Sequence, residues 1–157
     1  MKGSAQYLIF RINAQRYGLP LDVVDRIFPA AEITPLPEAP ASVAGAVNIY
    51  GTVMPVFNLR KKLGLGDREI SPSDQLLVAT KREQKVVLWI DEAIGVAELP
   101  EKQLTPAKGV IPNLELVEAI VKTEDGLALI HDLNKFLSTD EEKALKHAME
   151  QEVPGEA

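Results

Sequence analysis

The sequence contains no cysteine, and this absence excludes several kinds of chemistry at once. Its 157 residues offer no thiol for a disulfide, a nucleophilic cysteine or a zinc–thiolate site. Histidine is scarce as well, with His131 and His147 as its two copies. Aromatic residues make up 5%, so a hydrophobic core must be built mainly from Val, Ile, Leu and Ala. The remaining composition, 46% hydrophobic and 25% charged, is that of an ordinary folded domain.

Positive charge is also in deficit. The chain has 17 Lys and Arg against 23 Asp and Glu, which gives a net charge of −6. We therefore expect no nucleic-acid partner and no attraction to anionic membranes. No stretch approaches the roughly 18 apolar residues of a membrane span. Residues 1–15 do not resemble a signal peptide, because Arg11 interrupts their short apolar run. These absences predict a cytoplasmic protein without direct membrane insertion.

Reactive groups do not cluster along the sequence. It has no GxSxG turn, no GxGxxG loop and no GxxxxGK[ST] phosphate-binding motif. His131 precedes Asp132, which we interpret as a helix cap rather than as the partner of a catalytic base. His147 falls on a charged helix and is interpreted as solvated. Asp22 and Asp91, which lie 69 residues apart, end similar strands and indicate turn or capping roles. The sequence therefore predicts no enzyme, no cofactor and no metal.

Alternating apolar residues and regular turn signals predict a mainly β protein. Residues 22–28 fit a short helical turn as well as a strand, and both remain open. Segments 29–40 and 100–114 contain prolines and are predicted to be connections. Asn58 is predicted to cap a short helix that Gly64 ends. A second short helix is predicted over 132–137 and a C-terminal helix over 138–152. The predicted strands are 7–12, 17–21, 43–50, 53–57, 75–80, 85–91, 94–99, 116–123 and 127–130.

The sequence also repeats its own pattern. A shift of 74 positions places residues 45–63 on a similar stretch and brings Asn58 onto Asp132. A shift of 69 positions brings Ile27 onto Val96. The alternative is chance similarity between two β-rich halves.

The repeat predicts two small five-stranded barrels related by pseudo-twofold symmetry, with halves at roughly 5–66 and 74–137 of a single 1–157 domain. One such unit has little core and open edges, so packing two together would bury the apolar face that neither can cover alone.

Three features are candidates for contact with protein partners. Trp89 fits an interface anchor and a core residue equally well. Tyr50 precedes Gly51 at a hairpin tip and is expected to be exposed, where its ring offers apolar area and a hydroxyl. The apolar residues at 23–28 are mostly core, but one or two of them could line a groove between the barrels.

Several motifs in one order give the sequence a family resemblance. The longest is GAVNIYGTVMPVFNLR over residues 45–60, which is similar to the pattern GvxNLRGxxxPvxdLR of the CheW coupling-protein family. Shorter matching stretches are YLIF at 7–10, YGLPL at 17–21, ITPLP at 33–37, WIDEAI at 89–94 and GLALI at 126–130. The sequence resembles this family over nearly its whole length.

The resemblance implies a non-enzymatic chemotaxis adaptor with two SH3-like five-stranded barrels packed on a shared core and no cofactor. Such proteins bind the cytoplasmic tip of methyl-accepting chemoreceptors. They also bind the regulatory domain of the histidine kinase CheA, which is itself built like a coupling protein. By the same resemblance, a receptor-binding groove is expected at Val24, Ile27, Gly45 and Tyr50. Kinase contacts are expected at exposed apolar positions near the barrel ends.

Tyr50 departs from the family pattern, which usually has arginine there. A guanidinium offers five donors in a rigid fork, whereas a phenol offers one hydroxyl and a flat apolar face. Receptor contact at this position is therefore expected to differ in kind. The departure leaves open a second function, that of a CheW-like regulatory or competitor scaffold in a divergent chemosensory pathway. A third, a small-molecule-binding barrel or enzyme, would require a polar pocket near His131 or Trp89.

Overall fold

The computed structural model describes residues 3–107, 116–123 and 126–152, and these form eleven strands with few helices. The helices are α1 (Leu59–Leu63) and α2 (Thr139–Glu152), with 3₁₀ turns at Leu21–Val23, Glu101–Gln103 and Leu133–Lys135. The strands are β1 (Ser4–Ile12), β2 (Gln15–Pro20), β3 (Val24–Pro29), β4 (Val43–Ile49), β5 (Thr52–Phe57), β6 (Gln75–Lys81), β7 (Gln84–Ile90), β8 (Glu92–Pro100), β9 (Leu104–Pro106), β10 (Val117–Thr123) and β11 (Gly126–His131).

The strands form two sheets of similar topology. The six-stranded sheet has the order β8-β1-β2-β11-β10-β9, and the five-stranded sheet has the order β3-β6-β7-β5-β4. The pairs β2–β11 and β5–β7 are parallel, and the other pairs are antiparallel. Read in these orders, the first five strands of the larger sheet correspond one by one to the strands of the smaller sheet. This topology confirms the predicted mainly β fold of two pseudo-symmetric units and is consistent with SH3-like barrels.

Local irregularities repeat between the two sheets at the predicted spacing. The β4–β5 register shifts between Val43 and Gly45, and the β10–β11 register shifts between Val117 and Ala119. The second shift lies 74 positions after the first. Each sheet is also closed by a short segment on its last strand. In the larger sheet β9 pairs with β10, and in the smaller sheet Thr34 bridges β4. The sequence repeat is therefore a structural repeat.

The six-stranded sheet takes strands from both ends of the chain, whereas the five-stranded sheet is built from its middle. Strands β1 and β2 lie in one sheet with β8, β10 and β11, and the intervening β3 to β7 form the other. Neither sheet therefore coincides with the predicted halves 5–66 and 74–137. The chain passes between the sheets at Leu21–Val23 and at Asp91. The sheets differ from the predicted halves because the sequence repeat shows which strands are equivalent. It does not show whether a strand pairs within its own half or with strands of the other half.

Strand alternation divides the apolar residues into three clusters. In β7, Val87 and Trp89 point into the five-stranded barrel, whereas Leu88 and Ile90 face a core shared by the two sheets. The interior of the larger barrel is filled by a third cluster, Tyr7, Ile9, Leu99, Ala119, Val121, Ala128 and Ile130. Side chains from both sheets meet in the shared core, as the repeat predicted for units too small to be stable alone.

Helices α1 and α2 lie where the sequence predicts, whereas the short helix predicted over 132–137 is a single 3₁₀ turn at Leu133–Lys135. Asn58 Oδ1 accepts a hydrogen bond from the amide of Lys61 at 3.2 Å, and Gly64 ends α1 with a φ of 71°. Helix α2 begins with a capping box, in which Ser138 Oγ accepts from the amide of Glu141 at 3.1 Å while Glu141 Oε1 accepts from the amide of Ser138 at 2.9 Å.

Some elements differ from the sequence-based expectation. Residues 22–28 combine both open alternatives, a 3₁₀ turn followed by strand β3. Within the predicted connection 100–114 lies the short strand β9, while residues 108–114 of that connection lie outside the described residues. Among the described helices, none has the length and apolar character required to cross a membrane.

Candidate partner-binding surfaces

Tyr50 is the most exposed large apolar side chain in the described part of the chain. It shares the two-residue β4–β5 turn with Gly51, and both have positive φ values, 51° and 86°. This conformation matches the right-handed twist of the flanking strands. Asn48 Oδ1 supports the turn by accepting from the amide of Gly51 at 2.9 Å. The ring is 87% exposed and meets Phe28 edge to face, with centroids 5.8 Å apart. The predicted exposure of Tyr50 is therefore confirmed.

Val24 and Ile27 lie on one face of β3, which is an edge strand of the five-stranded sheet. Across the β3–β6 pair they stand opposite Ala79 and Leu77, and both of these belong to the shared core. Val24 packs against that core, whereas Ile27 is 36% exposed. The face of β3 that carries Val24 and Ile27 therefore leaves apolar area accessible.

Gly45 is buried, and the absence of a side chain there lets the segment at Thr34 pack closely against β4. Thr34 crosses β4 here, and it exchanges two backbone hydrogen bonds with Ala46, at 2.9 Å and 2.8 Å. A Cβ at Gly45 would lie 2.2 Å from the carbonyl oxygen of Thr34. Glycine allows this close approach because it has no side chain.

The four residues of the predicted groove are thus not equivalent. Val24 and Ile27 share one face of β3, and Tyr50 contacts Phe28, the residue on the other face. Gly45 lies beneath the segment that closes the barrel, so it shapes the site without offering side-chain area.

Strand β8 carries an exposed apolar pair that the sequence reasoning did not single out. Ile94 is 42% exposed and Val96 is 54% exposed, on the edge strand that corresponds to β3 in the other sheet. The signal was present, because the shift of 69 positions brings Ile27 onto Val96. Val96 stands opposite Leu8 of the shared core, as Ile27 stands opposite Leu77.

Trp89 is a core residue, so the alternative of an accessible interface anchor is not supported. Its side chain is 4% exposed because β7 is a central strand and this face points into the barrel. The indole Nε1 donates to Asp74 Oδ2 at 3.0 Å. The guanidinium groups of Arg60 and Arg68 lie 5.4 Å and 5.9 Å from the ring centroid. The indole of Trp89 therefore packs against a cluster of charged side chains, Arg60, Arg68 and Asp74.

The carboxylate of Asp74 is held ionised by this cluster. Burial acts to raise the pKa of Asp74, but hydrogen bonds from Arg68, the amide of Ser71 and Trp89 outweigh it and lower the pKa to about 2. Arg68 binds both carboxylate oxygens at 2.8 Å. A carboxylate with so many donors is a structural anchor rather than a proton-transfer group.

His131 is enclosed by aromatic rings and is not placed for acid–base chemistry. It is 1% exposed, and its ring centroid lies 4.9 Å from that of Tyr17. Asp132 forms no hydrogen bond with the imidazole but caps the following 3₁₀ turn by accepting from the amide of Asn134 at 3.1 Å, as predicted. Burial lowers the pKa of His131 from 6.5 to about 3. The unfolded chain therefore takes up this proton before the folded protein does, so lowering the pH from 6.5 to 3 destabilises the fold.

The family model that describes the CheW-like domain matches residues 6–141 of this chain. The chain belongs to the CheW-like family. The match covers both sheets and the start of α2. Family membership agrees with the motifs at residues 45–60 and 89–94, and it confirms the predicted resemblance.

Individual relatives agree with this assignment over most of the chain. The chemotaxis protein CheW of Bacillus subtilis is 29% identical over 89% of this chain and 91% of its own length. The Thermotoga maritima protein of the same name is 27% identical over 84% of this chain and 87% of its own length. A crystal structure of the scaffolding protein TtCheW from Thermoanaerobacter tengcongensis superimposes with a TM-score of 0.79 and 27% identity, covering 87% of this chain and 94% of that one.

These matches confirm the predicted class of function, a chemotaxis adaptor that couples receptors to the histidine kinase CheA. The CheW-like family is one of scaffolds rather than of enzymes. Among the described residues, both barrel interiors are filled by packed apolar side chains, so a small-molecule site inside a barrel is not supported.

Proposed function

We propose that this CheW-like adaptor works in the cytoplasm, without a cofactor, by holding two protein partners on two separate surfaces. The first, here called the β3 surface, consists of Val24, Ile27 and Tyr50, and its proposed partner is the cytoplasmic tip of a methyl-accepting chemoreceptor. The second, here called the β8 surface, consists of Ile94 and Val96, and its proposed partner is the regulatory domain of CheA. Gly45 contributes to the first by shaping the barrel wall.

The observation that carries this proposal is the 87% exposure of Tyr50. An aromatic ring held at a hairpin tip presents a large apolar area that loses little entropy when it is bound, because only two side-chain torsions must be fixed. Phe28 supports the ring from one side, so its orientation is already restricted. Exposed aromatic residues of this kind frequently dominate the binding energy of protein interfaces.

The β8 surface is supported by the symmetry of the fold. Ile27 and Val96 occupy equivalent places on the edge strands of the two sheets, and both expose apolar area. The CheA regulatory domain resembles a coupling protein, so its own barrels offer similar edges. A partner built in this way fits a surface that is related by symmetry to the receptor-binding one.

The test is a pair of titrations by isothermal calorimetry, one with a receptor cytoplasmic fragment and one with a CheA regulatory domain. For Tyr50→Ala we expect receptor affinity to fall about tenfold or more, with kinase affinity unchanged. For Val96→Ser we expect the opposite selectivity. Leu65→Ser is the matched control, because Leu65 is 37% exposed but follows α1 and belongs to neither edge strand. Loss of both affinities in one variant, or of neither, would contradict two separate surfaces.

The second function, a regulatory or competitor scaffold in a divergent pathway, rests on Tyr50 alone. If the tyrosine reduces receptor affinity relative to the arginine usual in the family, Tyr50→Arg will strengthen receptor binding in a pull-down. If the wild-type protein binds receptors tightly and the substitution changes nothing, Tyr50 does not distinguish the two functions.

A further inference from the structure

Asp91 lies at one of the two places where the chain passes from one sheet to the other. It is the single residue between β7 of the five-stranded sheet and β8 of the six-stranded sheet. The equivalent passage, from β2 to β3, contains Asp22, which is 69 residues earlier. The sequence predicted similar turn or capping roles for the two aspartates, but the structure gives them very different surroundings.

Each carboxylate oxygen of Asp91 is bound by donors that belong to a different sheet. Oδ1 accepts hydrogen bonds from Arg60 of α1 and from Arg68, the latter at 3.1 Å, and both arginines flank the five-stranded sheet. Oδ2 accepts from the amide of Asn13 at 2.8 Å and from Arg11 Nη1 at 3.4 Å, both in the β1–β2 hairpin of the six-stranded sheet. One side chain thus connects the two sheets directly.

This connection is shielded from water on its five-stranded side. Arg60 is 2% exposed and Asp91 is 13% exposed, so the ion pair between them is only weakly screened by solvent. Arg60 also lies over the Trp89 ring, and Asp91 is its ion-pair partner within the described residues. Charged hydrogen bonds are directional, whereas the apolar core between the sheets is not. The core therefore holds the sheets together without fixing their relative orientation, whereas the hydrogen bonds of Asp91 join specific groups of the two sheets.

Asp22 provides the natural comparison. Its side chain is exposed and forms no hydrogen bond or ion pair with the other described residues. The pseudo-symmetry of the fold is therefore broken at this point. The passage at Asp91 is hydrogen-bonded to both sheets through its side chain, whereas the passage at Asp22 is not.

We propose that Asp91 is a positioning residue that fixes the angle between the two sheets, and that this angle sets the geometry in which the adaptor holds its two partners. The inference rests on the two-surface function proposed above. Because β3 and β8 lie on different sheets, a change in the angle leaves each surface intact but alters their relative orientation. Pairwise binding then survives, while the three-component complex fails.

The first measurement requires no partner. Because the chain has no cysteine, T52C in β5 and K122C in β10 give one label site on each sheet for distance measurement by pulsed electron spin resonance. We expect Asp91→Asn to broaden or shift the distance distribution, and the matched control Asp22→Asn to leave it unchanged. An unchanged distribution in Asp91→Asn overturns the proposal.

The second measurement separates positioning from simple loss of structure. For Asp91→Asn we expect affinities for the receptor fragment and for the CheA regulatory domain within threefold of wild type. Stimulation of kinase activity in the complex of receptor, adaptor and CheA should fall at least tenfold. Equal losses in pairwise and three-component assays overturn the proposal. Failure of the wild type to bind either partner instead counts against the proposed function, and the distance measurement still tests Asp91.

A milder variant keeps the test valid if Asp91→Asn does not fold. Arg11→Gln removes one donor on the six-stranded side, at a surface position where Arg11 is 40% exposed. Asp91 keeps its charge in this variant, so Arg60 retains its ion-pair partner. We expect a smaller broadening in the same direction, and recovery of the wild-type distribution in Arg11→Lys. A distribution for Arg11→Gln identical to that of wild type overturns the proposal.

Discussion

Substitution of Gly45 by alanine tests how the five-stranded barrel closes. The added Cβ would lie 2.2 Å from the carbonyl oxygen and 2.8 Å from the carbonyl carbon of Thr34. Both are backbone atoms, so the contact cannot be relieved by rotating a side chain. The segment at Thr34 must move away from β4, and its two hydrogen bonds with Ala46 must lengthen or break.

The expected magnitude follows from two contributions. Gly45 has a φ of 151°, and a non-glycine residue in this region costs about 1–3 kcal/mol. Loss of the two backbone hydrogen bonds costs about 1 kcal/mol each. Gly45→Ala should therefore lower the free energy of unfolding by about 3–5 kcal/mol, a large part of the stability of a small domain.

Gly95→Ala is the matched control for the backbone contribution. Gly95 has a similar φ of 158°, but a Cβ there would meet no heavy atom within 4 Å. It should show only the strain of about 1–3 kcal/mol. Guanidinium unfolding, followed by circular dichroism and by the fluorescence of the single tryptophan, gives both values. Equal destabilisation of the two variants within about 0.5 kcal/mol would show that contact with Thr34 is not what requires glycine.

Three further outcomes are expected from the same kind of measurement. Between pH 6.5 and 5, wild type should lose about 1.1 kcal/mol of stability per pH unit through His131; His131→Phe should remove this dependence and His147→Gln, at an exposed position, should keep it. Asn58→Ala should cost about 1 kcal/mol in urea unfolding because α1 loses its cap; full stability would show that the cap is dispensable. Trp89→Phe should cost about 1–3 kcal/mol by calorimetry, since Asp74 loses a buried donor; a neutral result would contradict that hydrogen bond's importance.

Local signals in the sequence predicted the parts of the fold that local chemistry controls. The short helix between Asn58 and Gly64 has its cap and its left-handed terminus where the sequence placed them, because both depend on the backbone within one turn. The exposure of Tyr50 was predicted for the same reason, since a two-residue hairpin turn projects its side chains outward.

Properties that depend on distant contacts were predicted less completely. Alternation places Trp89 on the same face as Val87, but whether that face is buried depends on the position of β7 within its sheet. The exposure of Ile94 and Val96 likewise follows from the position of β8 at an edge. Neither position can be read from a strand's own residues, because edge and central strands show similar alternation.

The sequence by itself determined the mainly β class, the order of most elements, the internal repeat and the family. These are recorded in residue spacing, since period, caps and turns act over a few residues. Only the tertiary structure decided that β1 and β2 join strands from the far end of the chain, and that Asp91 is clamped by both sheets while Asp22 is exposed. Two repeats of similar pattern offer each strand two similar sets of partners, and the choice between them is made by packing over the whole chain.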